Sequence, residues 1–168
     1  MIRFVFSLFA FSALCFQFVT AQSFEWAYVG EASESSLVHD VIAMHNYVSE
    51  RALDNEGNII RVGIYKGTKD FDPGQDEYLL TDPSLFGFSG FIQKIDPDGN
   101  LIWAKSMGIS ECSRAHQVAL DTDGNIFVYG EFKDSVDADP GIGEFMLYSP
   151  NINSQLFILK LDSEGDFV

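Results

Sequence analysis

The chain contains one stretch of sequence twice, at a spacing of 66 to 67 residues. The motif Asp54–Ile59, D-N-E-G-N-I, returns as Asp121–Ile126, D-T-D-G-N-I. Two further segments recur in the same order: Asp70–Gly74 as Asp137–Gly141, and Phe91–Asp96 as Phe157–Asp162. A fixed period of this length indicates supersecondary units that bury their apolar faces against neighbouring units. The repeat therefore constrains architecture more tightly than it constrains activity.

Turn sequences divide each copy into runs of strand length that are rich in β-branched and aromatic residues. The dipeptide Asp123-Gly124 favours a hairpin, because glycine adopts a positive φ without a Cβ clash. Pro140 interrupts the segment Lys133–Gly143, which we therefore expect to be a loop. The predicted strands are Ile59–Tyr65, Glu77–Leu80, Gly90–Ile95 and Leu101–Lys105 in the first copy, and His116–Leu120, Ile126–Phe132, Glu144–Tyr148 and Gln155–Leu161 in the second.

Four short strands per unit predict an all-β fold built from antiparallel meander sheets. Radial stacking of such sheets gives the blades of a β-propeller, with a solenoid or a sandwich as alternatives. The long period favours blades, because β-helix rungs are much shorter. We divide the chain into repeat 1 at 54–102, repeat 2 at 103–168, and an irregular first unit or insertion at 22–53. Within that insertion, Ser36–Glu50 is the one segment with helical periodicity.

The N-terminus resembles an export signal. Arg3 precedes an apolar run from Phe4 to Val19, and Val19 and Ala21 stand at the −3 and −1 positions of a signal-peptidase site. We expect residues 1–21 to be removed and the mature chain to be secreted or placed on the cell surface. An uncleaved anchor and a lipoprotein at Cys15 are the alternatives, and no membrane span is expected after cleavage.

The charge of the chain excludes one class of partner. Without Arg3, the ten Lys and Arg residues become nine against 25 Asp and Glu residues, a net charge of −16. Such a surface repels phosphate backbones, so we expect no nucleic-acid binding. Loss of Cys15 with the signal leaves Cys112 as the one cysteine, so no intrachain disulfide is expected.

The repeated residues resemble a known family. Val118–Phe132, Asp137–Gly141 and Phe157–Gly165 are similar to the bacterial SBBP β-propeller repeat, which is common in exported proteins of Bacteroidetes-like bacteria. Trp103–Ser106 matches the start of the next unit in such arrays. The likeness is good over Asp54–Val168 and poor over Trp26–Glu50. It implies a propeller scaffold and no catalytic residues, since members of the family share a scaffold and differ in role.

Two units alone leave open strand edges and fall short of the three or so units that repeat arrays need. We therefore expect an incomplete propeller, with the remaining blades in a longer chain or with several copies assembling. The partner is predicted to be a protein or a glycan.

Aspartate pairs in the two Pro-Gly loops are the metal candidates. Carboxylates and backbone carbonyls are the oxygen ligands that Ca²⁺ prefers, so the pairs Asp70/Asp72 and Asp137/Asp139 could bind calcium. Capping of nearby amides is the alternative for these side chains. The Asp-x-Asp-Gly-Asn turns resemble the start of a calcium loop, but they lack the glutamate that an EF-hand has at position 12, and a hairpin explains them without a metal. The leading expectation is that the chain has no metal site.

Catalytic motifs are missing from the sequence. The three histidines, His39, His45 and His116, form no zinc-protease motif, and no Gly-x-Ser-x-Gly elbow occurs. The aromatic residues, Trp26 and Trp103 among them, fit a core between units or a surface that stacks on sugars. We therefore predict a non-catalytic binding or scaffolding module of a larger exported protein. The alternatives are a calcium-binding adhesive repeat and a glycan-processing enzyme domain.

Overall fold

The computed structural model describes residues 46–85, 87–108, 112–150 and 153–168. In these ranges the chain forms β-strands and no helix, so the predicted all-β class is confirmed. No described helix, accordingly, is long and apolar enough to cross a membrane. The strands are β1 (Asn46–Leu53), β2 (Ile59–Tyr65), β3 (Thr68–Asp70), β4 (Leu79–Thr81), β5 (Ser89–Ile95), β6 (Leu101–Ser106), β7 (Cys112–Leu120), β8 (Ile126–Lys133), β9 (Ser135–Asp137), β10 (Met146–Tyr148) and β11 (Gln155–Leu161).

The strands form two repeated units. Unit 1 is a four-stranded antiparallel sheet of order β1-β2-β5-β6, with the small β3–β4 hairpin between β2 and β5. Unit 2 is a three-stranded sheet of order β11-β8-β7, with the β9–β10 hairpin between β8 and β11. No sheet closes on itself in the part of the chain that is described. The predicted period is present, but the sheets are phased differently from the sequence division: β1 lies before residue 54 in unit 1, and the boundary between 102 and 103 falls inside β6.

The predicted strands Glu77–Leu80 and Glu144–Tyr148 do not join the main sheets. Residues 79–81 and 146–148 pair instead with β3 and β9, and β9 lies inside the segment predicted to be a loop. The reason is local, because the Asp-Pro-Gly loop turns the chain back onto itself before it returns to the sheet. The side hairpin is thus an insertion in a meander of longer strands.

Helical periodicity gave a wrong prediction over residues 46–50. These residues belong to β1, which pairs antiparallel with β2 from Leu53↔Ile59 to Asn46↔Tyr65. Pairing with a neighbouring strand has overridden the local pattern, because local sequence preferences determine secondary structure only weakly. The rest of that segment, residues 36–45, and the export signal lie outside the described residues, as does Trp26.

Each unit carries the same β-bulge. In β1 the register shifts between Val48 and Glu50, and in β7 it shifts between Ala115 and Gln117, 67 positions later. A glycine lies opposite each bulge, where a side chain would not fit. A Cβ at Gly63 would lie 1.9 Å from the carbonyl oxygen of Tyr47, and one at Gly130 would lie 2.3 Å from the Phe157 ring.

The main hydrophobic core lies between the two units. Buried residues of unit 1 pack against the face of unit 2 that carries Val128 and Leu159. A second cluster, formed by Tyr65, Phe71, Phe91 and Ala104, lies within unit 1. The unit 1 residues of the main core are Ile60, Val62, Ile92 and Met107, and those of unit 2 are Ala115, Val118, Ile126, Val128, Phe132, Val136, Ala138, Phe157, Leu159 and Leu161.

Candidate functional site

The strand-joining turns are a polar feature that recurs in both units. In the turn between β1 and β2, Asp54 Oδ1 accepts hydrogen bonds from the backbone amides of Glu56 (3.0 Å) and Asn58 (2.8 Å). The other carboxylate oxygen, Oδ2, accepts a bond of 2.8 Å from Asn58 Nδ2. Gly57 adopts a φ of 85° and donates its amide to the Asp54 carbonyl oxygen. The sequence D-x-x-G-N therefore forms a turn in which both carboxylate oxygens of the first residue accept hydrogen bonds from residues of the same turn.

Three further turns repeat this arrangement. Asp121 Oδ1 accepts from the amides of Asp123 (3.0 Å) and Asn125 (2.9 Å), and its Oδ2 accepts from Asn125 Nδ2 (2.7 Å). Asp96 accepts from Asn100 in the same way, at 2.7 Å and 2.9 Å. In the turn that follows β11, Asp162 accepts from the amides of residues 164 and 166.

These contacts stabilise the charged form of the turn carboxylates. Burial raises the pKa of Asp54, but hydrogen bonds from Asn58 and Lys94 outweigh it, so the pKa lies below the ordinary value of 3.8. For Asp96, burial is again outweighed by hydrogen bonds from Asn100, and the pKa is lowered. The Asn125 hydrogen bond is the main cause of the lowered pKa of Asp121. This occupied geometry supports the hairpin interpretation of the turns over a calcium loop.

The predicted calcium candidates lie at the side hairpins, and each caps its own loop. Asp70 Oδ1 accepts from the amides of Asp72 and Tyr78, both at 2.9 Å, and Asp72 Oδ1 accepts from the amide of Gly74 at 2.6 Å. In unit 2, Asp137 accepts from residues 139 (2.9 Å) and 145 (2.8 Å), and Asp139 accepts from residue 141 (2.9 Å). Among the described residues, no group of three or more His, Cys, Asp or Glu side chains could hold a metal ion. Calcium binding by these pairs stays a prediction.

A polar cleft lies between the two units, at the end of the sheets that carries the Asp-x-x-Gly turns. Lys94 is buried there, with its Nζ 3.0 Å from Asp54 Oδ2 and 3.2 Å from the carbonyl oxygen of Ser163. Both side chains of the ion pair are 9% exposed. Lys94 thus links a turn of unit 1 to a turn of unit 2. The cleft is lined by Asp54, Asn55, Glu56, Lys94, Thr122, Asp123, Gly124, Ser163 and Glu164.

Trp103 packs between the units. A Cβ on Gly165 would lie 3.0 Å from the indole ring, so the ring is in close contact with the turn after β11. Lys105, two residues further along β6, donates a hydrogen bond to the Gly165 carbonyl oxygen and pairs with Asp166 at 3.0 Å. The indole Nε1 is buried and has no hydrogen-bond partner among the described residues. This position favours the core interpretation of Trp103 over stacking on sugars.

A second cleft, which the sequence did not predict, lies where β7 begins. The Arg114 guanidinium is 4.4 Å from the centroid of the Phe88 ring, and its Nε is 3.5 Å from Glu131 Oε1. His116 lies in the bulge with its Nε2 3.6 Å from the same oxygen. Half-buried Cys112 contributes to this cleft as well. No local pattern in the sequence indicates that these residues lie close together, since Phe88 comes from the other unit.

Comparisons with protein-family models, with curated proteins and with solved structures find no match for this chain.

Proposed function

We propose that this chain is an exported, non-catalytic segment of a β-propeller of the SBBP type. In this proposal it acts as a binding or scaffolding module of a larger secreted or cell-surface protein. The observation that carries the proposal is the repetition of one unit. The three strands of the unit 2 sheet repeat the order β1-β2-β5 of unit 1, with the same bulge and the same turns, and the two sheets pack face to face. Face-to-face packing of repeated antiparallel meanders is the way in which propeller blades bury their apolar surface.

The hydrogen bonding of the turn aspartates supports a structural role for these side chains rather than a catalytic one. Asp54, Asp96 and Asp121 accept hydrogen bonds from their own turns, and their lowered pKa values keep them ionised at neutral pH. A general acid needs a raised pKa instead. The loops at both ends of the sheets are held by a stiff scaffold, which is the usual setting for a binding surface.

The intact mass of the native exported protein tests the larger context. An antibody against residues 121–132 would detect the protein in the secreted and surface fractions. We expect a mass well above that of residues 22–168, because further units would accompany the two described here. A mass equal to residues 22–168 would contradict the proposal of a larger protein.

Thermal unfolding with and without Ca²⁺ separates the proposal from an adhesive calcium repeat. We expect the unfolding temperature to be unchanged by millimolar Ca²⁺, because the described aspartates accept hydrogen bonds from their own loops. A rise in Tm that disappears in the double variant Asp137→Asn, Asp139→Asn would favour the calcium repeat. A glycan-binding screen at millimolar sugar then tests the glycan partner directly.

A further inference from the structure

One face of unit 2 is apolar and open to solvent. Alternate residues of β8 and β11 point to it, and two of them, Leu156 and Ile158, are 67% and 76% exposed. Phe127 and Tyr129 are partly buried beside them, and Lys160 Nζ lies 5.7 Å from the Phe127 ring centroid. We call this surface the open face: Phe127, Tyr129, Leu156, Ile158 and Lys160.

The same positions in unit 1 are covered. Ile158 corresponds to Ile92 at an offset of 66, and Ile92 is completely buried. Phe127 and Tyr129 correspond to Ile60 and Val62 at an offset of 67, and both of these are also completely buried. The cover of this face in unit 1 is unit 2 itself, through the core between the units. The chain therefore contains its own example of what occupies such a face.

The covering surface has a defined chemistry. It is the opposite face of the unit 2 sheet, and it presents Ile126, Val128, Phe157, Leu159 and Leu161. The Asp162–Asp166 turn of the same sheet adds a carbonyl oxygen, that of Ser163, to which Lys94 donates. Lys94 corresponds to Lys160 of the open face. An apolar centre and one lysine at the turn end thus recur in both units.

We propose that the open face is a docking surface for a further sheet of this same repeat. In this arrangement Lys160 donates a hydrogen bond to a backbone carbonyl of the incoming Asp-x-x-Gly turn, as Lys94 does in unit 1. The proposal rests on the proposed function, because it takes the chain to be part of a repeat array, and it adds the surface and the lysine that set the register of the next unit.

A second copy of the described units does not offer the complementary surface. Within unit 1 the positions that correspond to Phe157 and Leu159 are Phe91 and Gln93, which are 1% and 0% exposed. The Gln93 side chain is also engaged, since it accepts from Arg61 and donates to the Phe71 carbonyl oxygen. The occupant is therefore a further repeat that follows in the array. The strand pairing that would lead into this repeat has already begun, because Phe167 bridges Leu161 in unit 2 as Leu101 pairs with Ile95 in unit 1.

Extension of the chain by one repeat tests the proposal. A copy of residues 103–168 joined directly after Val168 continues the sequence in phase, since Val168 corresponds to Ile102. A shorter extension, a copy of residues 103–108, supplies the edge strand alone and serves as the control for strand addition. We expect the full extension to raise Tm by at least about 3 °C beyond the short one, because it buries the open face. We also expect it to reduce the binding of a dye that reports exposed apolar surface.

Two substitutions at the original unit 2 positions locate the contact. Ile158→Lys should abolish the additional rise in Tm, while Ile142→Lys should retain it, because Ile142 is fully exposed in the side-hairpin loop. In the chain without extension, both variants should fold with an unchanged Tm. A rise in Tm that survives Ile158→Lys, or an appended repeat that proteases remove from a folded core, would overturn the proposal. Neither result bears on the calcium, glycan and intact-mass measurements, so the failure of the docking surface and the failure of the proposed function can be told apart.

Discussion

Strands β5 and β11 are equivalent in the repeat, yet they lie in different surroundings. All seven residues of β5 are buried, because the strand has a neighbour on each edge and packing on both faces. In β11 the burial alternates, and Ile158 is exposed although the equivalent residue of β5, Ile92, is also an isoleucine and is completely buried. The sequence of a repeat strand therefore specifies that both faces can be buried, and the neighbouring units decide whether they are.

The aromatic clusters of the two units differ in a second way. In unit 1 the Phe71 ring lies edge-on between Tyr65 and Phe91, at centroid distances of 5.2 Å and 4.9 Å. Unit 2 has Phe132 and Phe157 at the corresponding positions, but Ala138 replaces Phe71, and the two rings are 6.3 Å apart. Unit 1 thus closes this site with a third ring of its own. In unit 2 these residues belong to the core shared with unit 1.

The largest effect is expected when unit 1 is given the unit 2 residue. Phe71→Ala removes a ring that is 2% exposed, and we expect the free energy of unfolding to fall by about 4 kcal/mol. Urea unfolding followed by circular dichroism measures the change. Tyr148→Ala, at a ring that is 72% exposed, is the control and should change stability by less than about 0.5 kcal/mol. A loss below about 1 kcal/mol for Phe71→Ala would contradict the close packing of the three rings.

Truncation of equivalent isoleucines compares the two faces directly. We expect Ile92→Ala to destabilise the protein by about 3 kcal/mol, because it leaves a cavity in the core between the units. The same change at Ile158 should cost less than about 0.5 kcal/mol, since its side chain already contacts solvent. Equal losses at the two positions, measured by the same urea titration, would show that the open face is covered in solution.

The equivalent lysines should differ by a smaller amount. Lys94→Met removes the ion pair with Asp54 and the hydrogen bond to Ser163, and we expect a loss of about 2 kcal/mol. Lys160→Met lies on the open face and should be nearly neutral. A double variant, Lys94→Met with Asp54→Asn, should recover part of the loss because no unpaired buried charge remains. The absence of any recovery would mean that the two side chains are not coupled.

The pH dependence is expected to give the smallest effect. The pKa of Asp54 in the folded state lies below the ordinary value of 3.8, so its contribution to stability is complete above that pH. The contribution is lost as the pH falls below 3.8 through the lowered pKa of the folded state. Asp54→Asn should therefore show a weaker decline of stability between pH 5 and pH 2 than the unaltered chain. Identical profiles in urea titrations across this range would contradict the role of the ionised carboxylate.

Much of the fold could be predicted from local sequence. The strands Ile59–Tyr65 and Gln155–Leu161 were predicted with the bounds that the structure has, because each is an apolar run with a D-x-x-G turn at one end. Strand β1 was missed because its partner strand, and not its own periodicity, determines its conformation. The side hairpins were assigned to the main sheets for a similar reason: their pairing depends on how an Asp-Pro-Gly loop folds back.

The candidate site shows the same limit. That the turn aspartates serve hairpins could be inferred from their spacing to glycine and asparagine. The contact between Lys94 and Ser163 joins residues 69 positions apart in different units, and no local pattern contains it. The cap that Asp70 provides to the amide of Tyr78, eight residues later, likewise depends on the shape of the loop. Packing between the units and the shape of a loop therefore supplied the contacts that the sequence did not predict.

The bulge in β7 has a consequence for how insertions and deletions would act on this chain. Before His116 the buried positions are odd-numbered, Ser113 and Ala115, and after it the next buried position, Val118, is even-numbered. The bulged residue thus shifts the alternation of buried and exposed side chains by one position within a single strand. Deletion of His116 would restore regular alternation and keep Ser113, Ala115 and Val118 on the buried face. Deletion of another residue within the strand would turn part of it inside out, whereas deletion of one residue from a side-hairpin loop would leave the sheets intact. The 66-residue and 67-residue spacings of the repeat show that a one-residue change of length between the copies falls between residues 141 and 157, on the tolerant side of this divide.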